Sequence, residues 1–240
     1  MVKAHTTLPF ARQAAELMFG ADAVAAVEST GNADERRRHF ELRARSLDMA
    51  LDDVAAQRVL ELAAGFSFRG LDRAARSQVT YLDTDLPGVT ATKAELVATL
   101  APAALAGTLR VHALDALDRE AVEAAVAMLP PGPIAVVHEG LLMYLDPIEK
   151  ARLAATIHAC LRARGGVWIT ADVYVRSDTN PVRRPVVAQF LADHHVEQNK
   201  FADWAAADAF FTSHGFHIAR KLAAPGDPSR SRETWTMTAA

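Results

Sequence analysis

The sequence predicts an α/β protein, a largely parallel sheet with helices on both faces. Three observations carry this. The first 57 or so residues read as helical. From Gln57 onward, short β-type runs alternate with helical stretches, the pattern of strand–helix–strand crossovers. The chain then ends in two β-type runs joined by a Pro/Gly turn, the pattern of an antiparallel closing pair. A length of 240 residues suits one such domain with additions better than two separate domains. The organisation expected is a helical cap over residues 1–57 and a ligand-binding α/β domain over 58–240, with a lid-like insertion at about 176–200.

Taken in order, the cap begins with shorter helices over residues 9–19 and 22–28. A longer helix follows over 32–54, where Phe40, Ala44, Leu47, Leu51 and Val54 recur at spacings of four and three and share one face. Asn32 with Glu35 has the spacing of a capping box. The strand runs are RVLELA from Arg58, VTYLD from Val79, LRVHAL from Leu109, IAVVHE from Ile134 and GVWITADV from Gly166. Helical stretches over 92–100, 119–128 and 146–163 separate them. The last is the clearest. Asp146 caps it, Pro147 suits its first turn, Glu149 completes the box, and Gly165-Gly166 stops it. After a polar stretch containing Asn180, Pro181, Arg183 and Arg184 come helical segments around His194-His195 and over 203–214. The closing runs are FHIARKLA and TWTMTA.

Composition narrows the function. Lys and Arg total 26 against 29 Asp and Glu, a net charge of −3, so nothing favours a nucleic-acid or other polyanion surface. Arg36-Arg37-Arg38 is flanked by Asp34, Glu35 and Glu41 and reads as a solvated helix face. The single cysteine, Cys160, excludes a disulfide framework and multi-cysteine zinc sites, and it falls on the apolar face of a helix. Neither His194-His195 with Glu197 nor His214 with His217 makes a three-ligand metal set. No run is long and apolar enough for a membrane span, so a soluble, cytoplasmic protein is expected. Composition leaves the oligomeric state open.

In an open α/β sheet the ligand lies beyond the carboxyl ends of the strands. Those ends carry Glu61 to Gly65, Asp83-Thr84-Asp85, Leu114-Asp115 and His138-Glu139-Gly140, so four strands each deliver a carboxylate to one rim. Carboxylates receive ribose hydroxyls, an adenine amine and an α-ammonium. Asp85 lies 20 residues after Gly65, a spacing that suits a ribose-binding acid. The dinucleotide fingerprint G-x-G-x-x-G is absent, its positions being Ala63, Gly65 and Phe68, so a nicotinamide-dependent oxidoreductase is disfavoured. The pattern suits a nucleoside without phosphates. Plainer roles exist for each residue: Asp83 as a loop acid, Asp115 as a helix cap, Glu61 as a partner for turn amides, Tyr144 as packing. His138 and Glu139 point to opposite faces by strand alternation, and His138 reads as a core histidine.

Three ordered motifs, VLELAAGFSFRGL, YLDTDLPGVTATK and VHEGLLMYLDP, resemble the leucine carboxyl methyltransferase family, more narrowly its bacterial polyketide O-methyltransferase-like branch. The likeness covers about residues 36–175. It implies a class I S-adenosylmethionine (AdoMet) methyltransferase with a Rossmann-like seven-stranded sheet in the order 3-2-1-4-5-7-6. By position it implies that Gly65 passes beneath the methionine part of AdoMet, with Glu61 and Ala63 in the same motif. Asp85 would take the ribose hydroxyls, and Asp115 and Ala116 would lie along the adenine. Glu139 would face the donor's charged end, and Tyr144 would line the acceptor pocket, the two being the candidate catalytic residues. The segment LRARSLD resembles the family's arginine helix and places Arg43 on the donor's carboxylate. Helix geometry agrees, since Arg43 flanks the apolar stripe while Arg45 projects away. Ala63 stands where the family often has glycine. The function implied is O-methylation of a small-molecule acceptor, with a carboxylate as the expected nucleophile. The alternative is an AdoMet-binding partner without catalysis.

Overall fold

The computed structural model describes residues 2–28, 33–176, 189, 191–224 and 233–240. The turn joining the last two strands, the core of the lid-like insertion and the proposed Asn32 cap lie outside these residues. The N-terminal part comprises a 3-10 turn (Val2–His5), α1 (Ala11–Phe19), α2 (Ala21–Glu28) and α3 (Ala33–Asp53). Strands and helices then alternate: β1 (Arg58–Leu62), α4 (Arg69–Arg76), β2 (Thr80–Asp85), α5 (Pro87–Leu100), β3 (Thr108–Ala113), α6 (Arg119–Ala127) and β4 (Ile134–His138). After a 3-10 turn (Leu142–Tyr144) come α7 (Pro147–Arg164), β5 (Gly166–Thr170), α8 (Val196–Asn199), α9 (Trp204–Ser213), β6 (Phe216–Leu222) and β7 (Thr234–Ala239).

The seven strands form one sheet in the order β3-β2-β1-β4-β5-β7-β6, as the motifs implied. Strands β1 to β5 pair in parallel, and β7 inserts antiparallel to both β5 and β6. The strand order reverses between β1 and β4, which opens the crevice where such sheets bind ligands.

Alternation along the strands builds two cores. On one face Leu60, Leu62, Val136, Trp168, Trp235 and Met237 pack under α6, α7 and α9. On the other Val59, Tyr81, Ala135, Val137 and Ile169 pack against Leu47, Ala50 and Leu51 of α3 and Ala74 of α4. Of the apolar stripe read along α3, Leu47 and Leu51 cover the sheet, while Phe40 lies under Lys3 and Arg43 and Ala44 lines a small cavity beside Glu139. Val54 lies beyond the helix end and is exposed.

The local signals of α7 are realised in full. Asp146 accepts from the Ile148 and Glu149 amides, and Glu149 returns a bond to the Asp146 amide. At its other end Gly166 has φ +109°, and a Cβ there would sit 1.9 Å from the Ile134 carbonyl oxygen, so β5 can start beside β4 only with glycine. Helix α4 carries no comparable sequence signal. Its buried side includes Arg69 and Gly70, which interrupt the apolar period.

Candidate active site

The β1 and β4 alternation places Glu61 and Glu139 on the α3/α4 face of the sheet. Two arginines come down from those helices to meet them. Arg69, at the start of α4, donates from Nε to Asp48 (2.8 Å), from Nη1 to Glu61 (2.5 Å) and from Nη2 to Glu139 Oε2 (2.8 Å). Arg43, on α3, donates from Nε to Glu139 Oε1 (3.0 Å) and from Nη1 to the Tyr174 hydroxyl (3.0 Å). Lys3 Nζ stands 3.7 Å from the same Glu139 oxygen. Glu61 is fully buried, and its second oxygen accepts from the Tyr81 hydroxyl at 2.5 Å. Burial alone would raise the Glu139 pKa, but Lys3, Arg43 and Arg69 hold it well below the usual carboxylate range. The Lys3 ammonium goes the other way, its pKa lowered by burial against the pull of Glu139.

Beside this cluster lies the glycine turn. Gly65 has φ +52°, and a Cβ there would meet nothing within 4 Å, so conformation rather than crowding selects glycine and the space above it is open. Ala63 also has positive φ, +49°, which costs an alanine about 1 kcal/mol and would cost a glycine nothing. Asp85 closes the turn, one oxygen accepting from the Gly65 amide (2.7 Å) and the other from Leu86 (2.7 Å). Asp115 is exposed and accepts from the Leu117 amide at 2.9 Å, while the cap of α6 is Asp118. Ala116 is buried beside it, and a groove of about 680 Å³ opens between Asp115 and α7. Asp83 belongs to another system. It forms a buried ion pair with Lys93 (2.6 Å), and burial raises its pKa to about 7 against the Lys93 charge.

On the opposite face His138 is fully buried. Trp168 Nε1 donates to its Nε2 (2.9 Å), which puts the ring proton on Nδ1, facing Asp172 at 3.2 Å. Asp172 also accepts from Thr170 and from the Leu141 and Leu142 amides at 2.5 and 2.7 Å. It thereby pins the loop that joins Glu139 to Tyr144. Tyr144 is half-exposed and makes an edge contact with His194 at 5.8 Å, and α8 packs against the same 3-10 turn. Burial raises the Tyr144 pKa, with Arg43, Tyr174 and Asp172 as its charged and polar surroundings.

Arg69, Asp172, Tyr174 and Lys3 were not singled out from the sequence. Arg69 is written within the first motif and Asp172 within the fifth strand run, but nothing in their spacing reveals that each gathers several partners. A cavity of about 30 Å³, room for a single water, remains between the N-terminal segment, α3, the glycine turn and Glu139. The N-terminal segment is held over the site in part by Thr7, which donates its amide to Glu41 (2.6 Å) and accepts from Arg45 (2.9 Å).

The leucine carboxyl methyltransferase family matches residues 3–158, more than half of the chain and all of this geometry up to Tyr144. The chain belongs to the leucine carboxyl methyltransferase family. No curated protein matches it. Among solved structures it is similar to a DUF574 family protein from Streptomyces avermitilis (13% identity, TM-score 0.57, covering 95% of this chain and 89% of that one). It is also similar to magnesium protoporphyrin IX methyltransferase from Synechocystis PCC 6803 with bound S-adenosylhomocysteine (9%, TM-score 0.53, 93% and 94%). A third is the mitomycin 7-O-methyltransferase MmcR (15%, TM-score 0.53, 94% and 62%). At these identities the likeness is one of fold, that of class I AdoMet-dependent methyltransferases. The chain spans 64% of the length of LaPhzM and 60% of SibL, two further structures it resembles. Among the described residues, no helix is long and apolar enough to cross a membrane.

The two arginines of the family's helix give a direct test. If Arg43 takes the donor's carboxylate, as the resemblance implies, Arg43→Ala should weaken AdoMet binding about tenfold or more through loss of a buried charge-assisted contact. Arg45→Ala removes an exposed bond to Thr7 and should change affinity less than about threefold. Calorimetry on the two variants decides, and equal losses would contradict the site geometry.

Proposed function

We propose that the chain is an AdoMet-dependent O-methyltransferase whose acceptor is a small-molecule carboxylate, polyketide-like in the narrower reading. The observation that supports it is the apposition of Glu139 and Arg43 beside an open glycine turn closed by Asp85. An amino-acid zwitterion needs one anion and one cation side by side, and a ribose diol needs an acceptor about a nucleoside's length away. In this reading Arg43 takes the donor's carboxylate and Glu139 its ammonium, with Glu61 acting from behind through Arg69. Ala63 and Gly65 leave room for the methionine chain. Asp85 receives the ribose hydroxyls on lone pairs not used by Gly65 and Leu86, and Asp115 with Ala116 borders the adenine. Tyr144 forms a wall of the acceptor site.

When bound, AdoMet supplies a methyl group already activated on a sulfonium. The chain's task is then to align an acceptor oxygen with that carbon and to exclude water. The lid formed by the N-terminal segment and the α8 region serves both. A carboxylate acceptor is favoured because it is ionised at neutral pH, whereas a phenol needs a base. The histidine next to Glu139 cannot be that base, since both its nitrogens are committed to Trp168 and Asp172.

The test is turnover of methyl-labelled AdoMet with a panel of aromatic carboxylic acids and phenols. The expected product is an ester, released by mild alkali and formed at a rate nearly flat between about pH 6 and pH 9. An alkali-stable ether would end the carboxylate reading. AdoMet binding with no methyl transfer to any member would support a non-catalytic binding protein.

A further inference from the structure

The two oxygens of Glu139 are held in different ways. Oε1 faces two cations that belong to the N-terminal part, Arg43 at 3.0 Å and Lys3 at 3.7 Å, and the Lys3 side chain is one-third exposed. Among the described residues, the cation facing Oε2 is Arg69 at 2.8 Å. Arg69 cannot follow a ligand. Its Nε is fixed to Asp48, its Nη1 to Glu61, and Glu61 in turn to Tyr81, so one guanidinium ties together α3, β1 and the end of β4. In the cluster Lys3, Arg43, Arg69 and Arg73 face Asp48, Asp52, Glu61 and Glu139.

We infer that Arg69 is the positioning residue of the donor site: it anchors Glu139 through Oε2, so that Oε1 can exchange its two protein cations for the ammonium of the methyl donor. The inference rests on the reading of Glu139 given above. The physical reason is economy of desolvation. A buried carboxylate without a cation would be costly before the ligand arrived, whereas exchanging the protein cations at Oε1 for the ligand's ammonium keeps the carboxylate paired throughout. The donor's carboxylate goes to the guanidinium of Arg43 as Oε1 is released, so the local charge balance does not change. Without a second, immobile grip, Glu139 would turn with Arg43 and lose its aim, and it would also lose one of the charges that keep it ionised.

The experiment measures S-adenosylhomocysteine binding by calorimetry between about pH 5 and pH 8, the range in which a buried carboxylate titrates once it has lost a cation that opposed the effect of burial. Arg69→Met leaves Glu61 buried without its cation and is therefore made together with Glu61→Gln, which keeps an acceptor for Tyr81. Wild type should bind with an affinity that varies less than about threefold over this range. The folded double variant should bind at least about tenfold more weakly at the acid end and recover as the pH rises. Arg69→Lys, which keeps the charge but not the three-way grip, should show the same slope to a smaller extent, and it decides if the double variant does not fold. Wild-type affinity, or a uniform loss with a flat pH profile, would overturn the inference and leave Arg69 a packing residue. Failure of wild type to bind, or Glu139→Gln binding as tightly as wild type, would instead remove the donor site on which the inference stands.

Discussion

Replacing Glu61 with alanine should lower the unfolding free energy by about 3–5 kcal/mol, the cost of breaking a buried ion pair by removing one partner. Glu61 has no exposed surface, and it is the shared partner of Arg69 (2.5 Å) and the Tyr81 hydroxyl (2.5 Å). Its removal takes one of three carboxylate partners from a guanidinium that burial disfavours and that its carboxylate neighbours keep strongly basic. It also orphans a phenol in a core that includes Leu47, Val59 and Val137. Glu61→Gln should cost less, because the amide oxygen still receives Tyr81 while Arg69 keeps Asp48 and Glu139. Arg119→Ala, on an exposed helix pair with Glu123, is the control and should leave the transition where it is. Urea unfolding of the three variants checks the order. A Glu61→Ala transition close to that of wild type would mean that the buried cluster contributes nothing net to stability.

Asp85→Asn should weaken AdoMet binding by about 1–3 kcal/mol, roughly tenfold to a hundredfold, the range for losing charge-assisted hydrogen bonds. The effect has two sources. Under the proposed function the carboxylate receives ribose hydroxyls, and an amide offers only one oxygen for them. In addition, both Asp85 oxygens already accept main-chain amides, from Gly65 and Leu86. Placing an NH₂ group opposite either one sets donor against donor and shifts the glycine turn. Asp72→Asn, at an exposed pair with Arg76 on α4, is the control. The two sources separate on comparing S-adenosylhomocysteine with L-methionine as ligands. Loss of affinity for the nucleoside ligand alone supports the ribose role, while equal loss for both places the effect in the turn. Unchanged affinity for both would remove Asp85 from the site.

The sequence by itself determined whatever depends on neighbours along the chain. The period of two in AVVHE assigns alternate sides, so His138 and Glu139 could be placed on opposite faces before any contact was known; that Glu61 shares the Glu139 face follows from the β1–β4 register. The cap, proline and glycine signals of α7 act within one helical turn, and each is found as read. The acids at the strand ends were legible for the same reason, since the ends of parallel strands gather at one rim whatever the details of packing. Tertiary structure alone decided which charges meet. Arg43 and Glu139 are 96 positions apart, and Arg69 and Glu139 are 70 apart. Nothing local in α4 marks Arg69 as buried, because a guanidinium enters a core only when carboxylates from other elements are already there to receive it. The same holds for Asp172, whose place beneath the Glu139–Tyr144 loop follows from β5 pairing beside β4. Local pattern sets the faces and the ends of the elements; the pairing of buried charges is a property of the assembled sheet and helices, since only there does the loss of water make one partner rather than another the lowest in energy.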